Sequence, residues 1–169
     1  LEEIGKLTGL ALALEVSEPA HVDRAARRAD LLIVPSVHMH NDALLHEVGR
    51  LDRPLLLERS STASIDEWLA AADRILARGN HRVALCERGI RTFEHTTLDL
   101  AAVPLLREHS HLPVLVDPTR GSARSTWIAL AEGARAAGAH GLSLAAQLGQ
   151  EPGLSLEEIT GLIAKLSQG

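Results

Sequence analysis

Cysteine occurs once in 169 residues, as Cys86, tyrosine is missing, and aromatic residues amount to 2%. A single thiol excludes an internal disulfide and fits a reducing compartment, so a cytoplasmic location is expected. With so few rings there is almost no platform on which bases or sugars could stack. The core must then be built from Leu, Ala, Val and Ile. No apolar run approaches the roughly 18 residues of a membrane span, and no basic-then-apolar leader is visible. A basic block is missing too: 17 Lys and Arg stand against 22 Asp and Glu, a formal net charge of −5. Neither nucleic acid nor a membrane is therefore an expected partner. There is also no Gly-rich phosphate loop of the dinucleotide or P-loop type.

What is present is apolar and periodic. Apolar residues make up 46% of the chain, which argues against disorder, and the length suits one domain spanning 1–169. Short, mostly apolar runs lie at Leu10–Val16, Leu31–Ser36, Pro54–Arg59, Arg82–Arg88, Leu112–Asp117 and Gly141–Ala146. Runs that are apolar throughout, rather than alternating, suit parallel strands covered on both faces. Between them lie helical stretches with end signals. Ser64 with Glu67, and Ser155 with Glu158, read as capping boxes, and Gly79 as a helix stop. Ser122 and Gly138 bracket another helix, Pro19 and Pro104 suit first helical turns, and Leu1–Leu7 reads as a helix tail stopped by Gly9. Strand starts recur roughly every 20 to 30 residues, the length of one βα unit. Right-handed crossovers leave an open doubly wound sheet or a (βα) barrel, which normally closes with eight strands.

In both architectures function sits at the carboxyl ends of the strands. The chain places Glu15 after the first strand and Ser36, His38 and His40 after the second. Glu58 and Arg59 close the third, Glu87 and Arg88 the fourth, Asp117 the fifth, while the sixth ends uncharged at Ala145, Ala146 and Gln147. Such charges can simply pair with one another; as a set they point to a ligand site, because buried charges need partners. His38 and His40 would share one side of an extended segment and could chelate a metal, but with no third ligand near in sequence, ordinary polar loop histidines are the favoured reading. Cys86, inside an apolar strand, reads as a buried small hydrophobe. Arg120-Gly121-Ser122 before a helix is either a cap or a phosphate site.

A more specific signal is the string Leu85-Cys86-Glu87-Arg88-Gly89-Ile90-Arg91-Thr92-Phe93-Glu94, followed by Thr97-Leu98-Asp99-Leu100, Ala102-Val103-Pro104, Ser110-His111-Leu112-Pro113 and Val116-Asp117-Pro118. These motifs resemble the type I 3-deoxy-7-phosphoheptulonate (DAHP) synthases, β subgroup, over essentially the whole chain. The resemblance implies an α/β fold, an incomplete TIM-type (βα) barrel of about six parallel strands corresponding to strands 2–7 of the family barrel. The family's first βα unit would be missing, together with its Gly-Pro-Cys-Ser and Lys-Pro-Arg-Thr motifs, and the eighth strand is uncertain. The family condenses phosphoenolpyruvate with erythrose 4-phosphate in a metal-dependent, aldol-like reaction.

Carried over position by position, the resemblance implies a changed site. The family's metal-binding His falls at Arg120 within Asp117-Pro118-Thr119-Arg120, its metal-binding Glu at Ala145, and its last metal-binding Asp has no counterpart in Gly149–Gly153. A phosphoenolpyruvate-binding Arg falls at Val37 and a binding Lys at Glu58. Glu15, Arg59, Glu87, Arg88, Arg91 and Asp117 are retained, and Arg88 matches a phosphate-contacting Arg. Lys to Glu58 reverses a charge beside an anion, turning about 4 kcal/mol of attraction into repulsion at about 4 Å and an effective dielectric of about 20. The expectation is a relative that makes no DAHP, needs no metal or other cofactor, and acts on a small molecule bearing phosphate or carboxylate. Its catalytic residues would be Glu15, Glu58, Glu87, Asp117 and His38, and its ligand-binding residues Arg59, Arg88, Arg91 and Arg120. The alternative is a non-catalytic binding or assembly scaffold. A barrel short of strands leaves exposed edges, so a homo-oligomer is expected to cover them.

Overall fold

The computed structural model describes residues 8–93, 95–120, 123–146 and 153–167, with side chains to 165. The expected helix tail at Leu1–Leu7, the Gly121-Ser122 helix start, and Gln147 to Pro152 lie outside the described residues. Contacts group the chain into two compact units, Leu1–Leu85 and Cys86–Gly169, and each is described by itself.

The first unit alternates strand and helix: β1 (Ala13–Glu15), α1 (Val22–Ala26), β2 (Leu31–Val34), α2 (Asp42–Gly49), β3 (Leu55–Glu58) and α3 (Ile65–Leu76). Pairing is parallel, with Ala13 opposite Leu31 between β1 and β2 and Leu32 opposite Leu55 between β2 and β3. All four β3 residues are buried, as a strand covered on both faces requires. Trp68 of α3 is fully buried and donates its indole N–H to the Leu57 carbonyl at 3.3 Å, which ties the helix to β3. Ser64 caps α3: its hydroxyl accepts the Glu67 N–H while the Glu67 carboxylate accepts the Ser64 N–H. Asn41 caps α2 through the Leu44 N–H.

β4 (Val83–Glu87) spans the boundary of the units and is followed by a hairpin of β5 (Ile90–Arg91) and β6 (Thr96–Thr97), antiparallel. The second unit continues with α4 (Ala102–His109), β7 (Val114–Val116), α5 (Trp127–Ala136), β8 (Gly141–Leu142) and α6 (Leu156–Ser167). Its core includes Trp127, Ala131, Leu154 and Leu162, with Leu142, Leu144 and Ile159 packed against them. The sheet order is β1-β2-β3-β4-β7-β8, and a parallel bridge from Ala146 to Leu154 adds one further pairing beyond β8.

Six strands in sequential order match the expected α/β (βα) pattern, and the α3 and α6 capping boxes and the Gly79 and Gly138 stops fall where expected. Three details differ. The strands are shorter than their apolar runs: Leu10–Val16 contracts to β1, and Gly141–Ala146 to its first two residues, β8. The β5–β6 hairpin has no counterpart among the apolar runs. The segment after β2 is not extended; Ser36–His38 is a turn of 3-10 helix, with the His38 N–H bonded to Pro35 O at 2.8 Å.

Candidate functional site

In the first unit the end of β3 is closed by buried polar groups. Glu58 and Arg59 are both 5% exposed. One Glu58 oxygen accepts the Ser36 N–H at 3.0 Å, so this carboxylate holds the 3-10 turn after β2. Arg59 turns inward: its Nε donates to Ala63 O at 3.1 Å and its guanidinium lies over the Trp68 ring at 5.8 Å. The Ser60 N–H reaches the Met39 sulfur at 3.3 Å, and Met39 is fully buried. Because the turn is 3-10, His38 and His40 do not share a side: His38 is half-buried, His40 exposed, and Met39 points inward between them. That overturns the expectation of two imidazoles aligned by an extended segment. Glu15 is exposed at the end of β1, on a cleft of about 450 Å³ that Glu18, His21, Arg24 and Arg28 also line.

The second unit brings three of the sequence-selected residues together. Glu87 is fully buried at the end of β4, and its carbonyl accepts the Asp117 N–H at 2.8 Å, so the ends of β4 and β7 are bonded there. One Glu87 carboxylate oxygen accepts the Gly89 N–H at 2.6 Å. Gly89 has φ +100°, a left-handed conformation that disfavours a side chain. Arg88 therefore sits in a turn clamped from both sides, and its Nε lies 3.5 Å from Asp117 Oδ2. The other Asp117 oxygen accepts the backbone N–H of Thr119 at 3.0 Å and also the Thr119 hydroxyl. The same hydroxyl accepts the Ala145 N–H at 3.1 Å, three residues past β8. Arg91 and Arg120 are exposed, and no ion pair ties either side chain among the described residues.

Sequence reasoning found Glu87, Arg88 and Asp117 but missed Thr119 and Gly89. The signal for Thr119 was legible: an Asp followed two residues on by Thr at a strand end is the spacing of a side-chain turn. The role of Gly89 follows only from a left-handed φ. Cys86 is buried, as expected.

At two positions the side chains in place do not supply the donors that the resemblance implies for a metal. Among the described residues no three His, Cys, Asp or Glu come together as a metal centre. Arg120, an obligate cation, and Ala145, with no donor side chain, stand where the resemblance puts two of the ligands. No helix of the described residues is long and apolar enough to cross a membrane.

Comparison with known proteins agrees with this architecture. A profile of the DAHP synthetase I family matches residues 1–154. A phospho-2-dehydro-3-deoxyheptonate aldolase of Thermotoga maritima is 39% identical over 146 residues, covering 84% of this chain and 43% of its own length. A 2-dehydro-3-deoxyphosphooctonate aldolase of Syntrophobacter fumaroxidans is 26% identical over 188 residues, covering 98% of this chain and 64% of its own. Among solved structures, a truncated form of 3-deoxy-D-arabino-heptulosonate 7-phosphate synthase from Thermotoga maritima superposes with a TM-score of 0.94 at 34% identity, over 99% of this chain and 68% of that one. The chain thus spans less than two thirds of the length of these two curated relatives, and its fold is the one the resemblance implied.

Proposed function

The chain belongs to the DAHP synthetase I family, and from that premise we propose that it binds a small molecule bearing phosphate or carboxylate at Arg88 and acts on it without a divalent metal. The reaction is an aldol, cyclisation, isomerisation or elimination step rather than heptulosonate formation. The observation that carries this reading is the ion pair of the Arg88 Nε with Asp117 Oδ2 at 3.5 Å, beside a turn that Glu87 closes through the Gly89 N–H. A guanidinium held beside buried carboxylates keeps its orientation, so it meets an anion at little ordering cost. Arg120 adds a second cation after β7 for the same class of ligand, but it cannot coordinate a metal.

Glu87 and Asp117 take the framing role, since each accepts a bond from a backbone N–H. In the first unit Glu15, Glu58 and His38 are the proposed acid–base groups at its own strand ends, and Arg59 supports that end of β3. A second reading, a non-catalytic binding protein, is favoured by one observation: Glu58, Glu87 and Asp117 all spend an oxygen on a backbone amide. Replacement of Glu58 by Ala separates the two, because it abolishes turnover in an enzyme and leaves ligand binding nearly unchanged in a binding protein.

The assay for the main claim is incubation with phosphoenolpyruvate and erythrose 4-phosphate, with and without manganese. No heptulosonate product is expected in either condition. Its appearance with manganese would return the protein to the family's metal-dependent chemistry.

A further inference from the structure

Resting on that reading of Arg88 and deepening it, we propose that Thr119 is a positioning residue whose hydroxyl sets the Asp117 carboxylate in the orientation that holds the Arg88 guanidinium. Asp117 and Thr119 are 4% and 7% exposed, so water does not satisfy them freely. The Thr119 hydroxyl has one proton and two acceptor sites. The Ala145 N–H donates to it at 3.1 Å, which uses an acceptor site. Its proton therefore goes to Asp117 Oδ1, which already takes the Thr119 backbone N–H at 3.0 Å.

Two donors from one residue on one carboxylate oxygen define the plane of the carboxylate. A carboxylate otherwise rotates broadly about its last torsion. With Oδ1 fixed, Oδ2 is turned toward Arg88, 3.5 Å from its Nε. The β-branch of Thr adds stiffness at χ1. The chain of contacts runs from Ala145 in the segment after β8, through Thr119 and Asp117 after β7, to Arg88 after β4. Thr119 itself touches no ligand. It acts through Asp117, and the hydroxyl rather than the side-chain volume is what matters.

The test compares Thr119→Val, which keeps the shape and removes the hydroxyl, with Thr119→Ser, which keeps the hydroxyl. Two readouts are taken on folded protein: calorimetric titration with inorganic phosphate, and the Arg88 Nε–H resonance of the unliganded, ¹⁵N-labelled protein. Thr119→Ser is expected to bind phosphate within about twofold of the parent, and Thr119→Val about tenfold more weakly, the worth of roughly one hydrogen bond. The Arg88 Nε–H resonance is expected to shift or broaden in Thr119→Val and to stay in place in Thr119→Ser. Thr119→Ala carries the same expectation if the valine variant does not fold. A folded Thr119→Val with parental phosphate affinity and an unmoved Arg88 resonance overturns the proposal. If parent and Arg88→Ala bind phosphate alike, or neither binds, the anion-anchor reading fails instead; the resonance alone then decides the role of Thr119.

Discussion

Glu87, Arg88 and Gly89 show how much a single turn carries. Gly89 at φ +100° offers its N–H to the Glu87 carboxylate at 2.6 Å, and an L side chain there is strained. Gly89→Ala is expected to lower the unfolding free energy by about 1–3 kcal/mol and to weaken phosphate binding at Arg88. Urea denaturation followed by phosphate titration checks both, and an alanine variant with parental stability and affinity would contradict the clamp. Much at this scale was legible: charges at strand ends singled out Glu58, Arg59, Glu87, Arg88 and Asp117, all at the end of a strand in the fold. What the sequence did not show is how each oxygen is spent. Glu58 reaches the Ser36 amide 22 positions away and Thr119 the Ala145 amide 26 positions away, and no local spacing announces such partners. The inward turn of Arg59 onto Trp68 was hidden for the same reason.

Among the elements, the helix ends were the most legible, because a capping box is a local pattern with a local cause. Ser64→Ala is expected to cost about 1 kcal/mol, read as a lower urea midpoint with an unchanged slope. The same boxes give a pH dependence. The Ser64 amide and then its hydroxyl hold Glu67 below the ordinary carboxylate range, and the Ser155 amide, followed by Arg124, does so for Glu158. Each folded-state value is depressed, so the contribution is present above the unfolded carboxylate pKa and lost as pH falls through the folded value. The first turns of α3 and α6 are therefore expected to open below about pH 5, seen as lower protection of the Glu67 and Glu158 amides relative to their intrinsic exchange rates at each pH. Glu67→Gln and Glu158→Gln should flatten that dependence; an unchanged pH profile in both variants would contradict it. The β5–β6 hairpin escaped notice because its strands are two residues each, too short for a period to appear. The 3-10 turn after β2 escaped because Pro35 O, rather than the side chains of Ser36 to His38, directs it.

At the scale of the whole molecule, the six strands of the described sheet follow one another in chain order, with β1 at one end. Family membership explains the βα frame, whereas Arg120 in the second unit and Glu58 in the first, at positions where the resemblance puts a His and a Lys, set the proposed function of this chain apart from metal-dependent heptulosonate synthesis. The most direct measurement is calorimetric titration of the protein and its Arg88→Ala variant with phosphoenolpyruvate, with and without manganese. The parent is expected to bind with an affinity that manganese does not alter, and Arg88→Ala to lose that binding. Binding that appears only with manganese, or that survives in Arg88→Ala, would contradict a metal-independent anion site at Arg88.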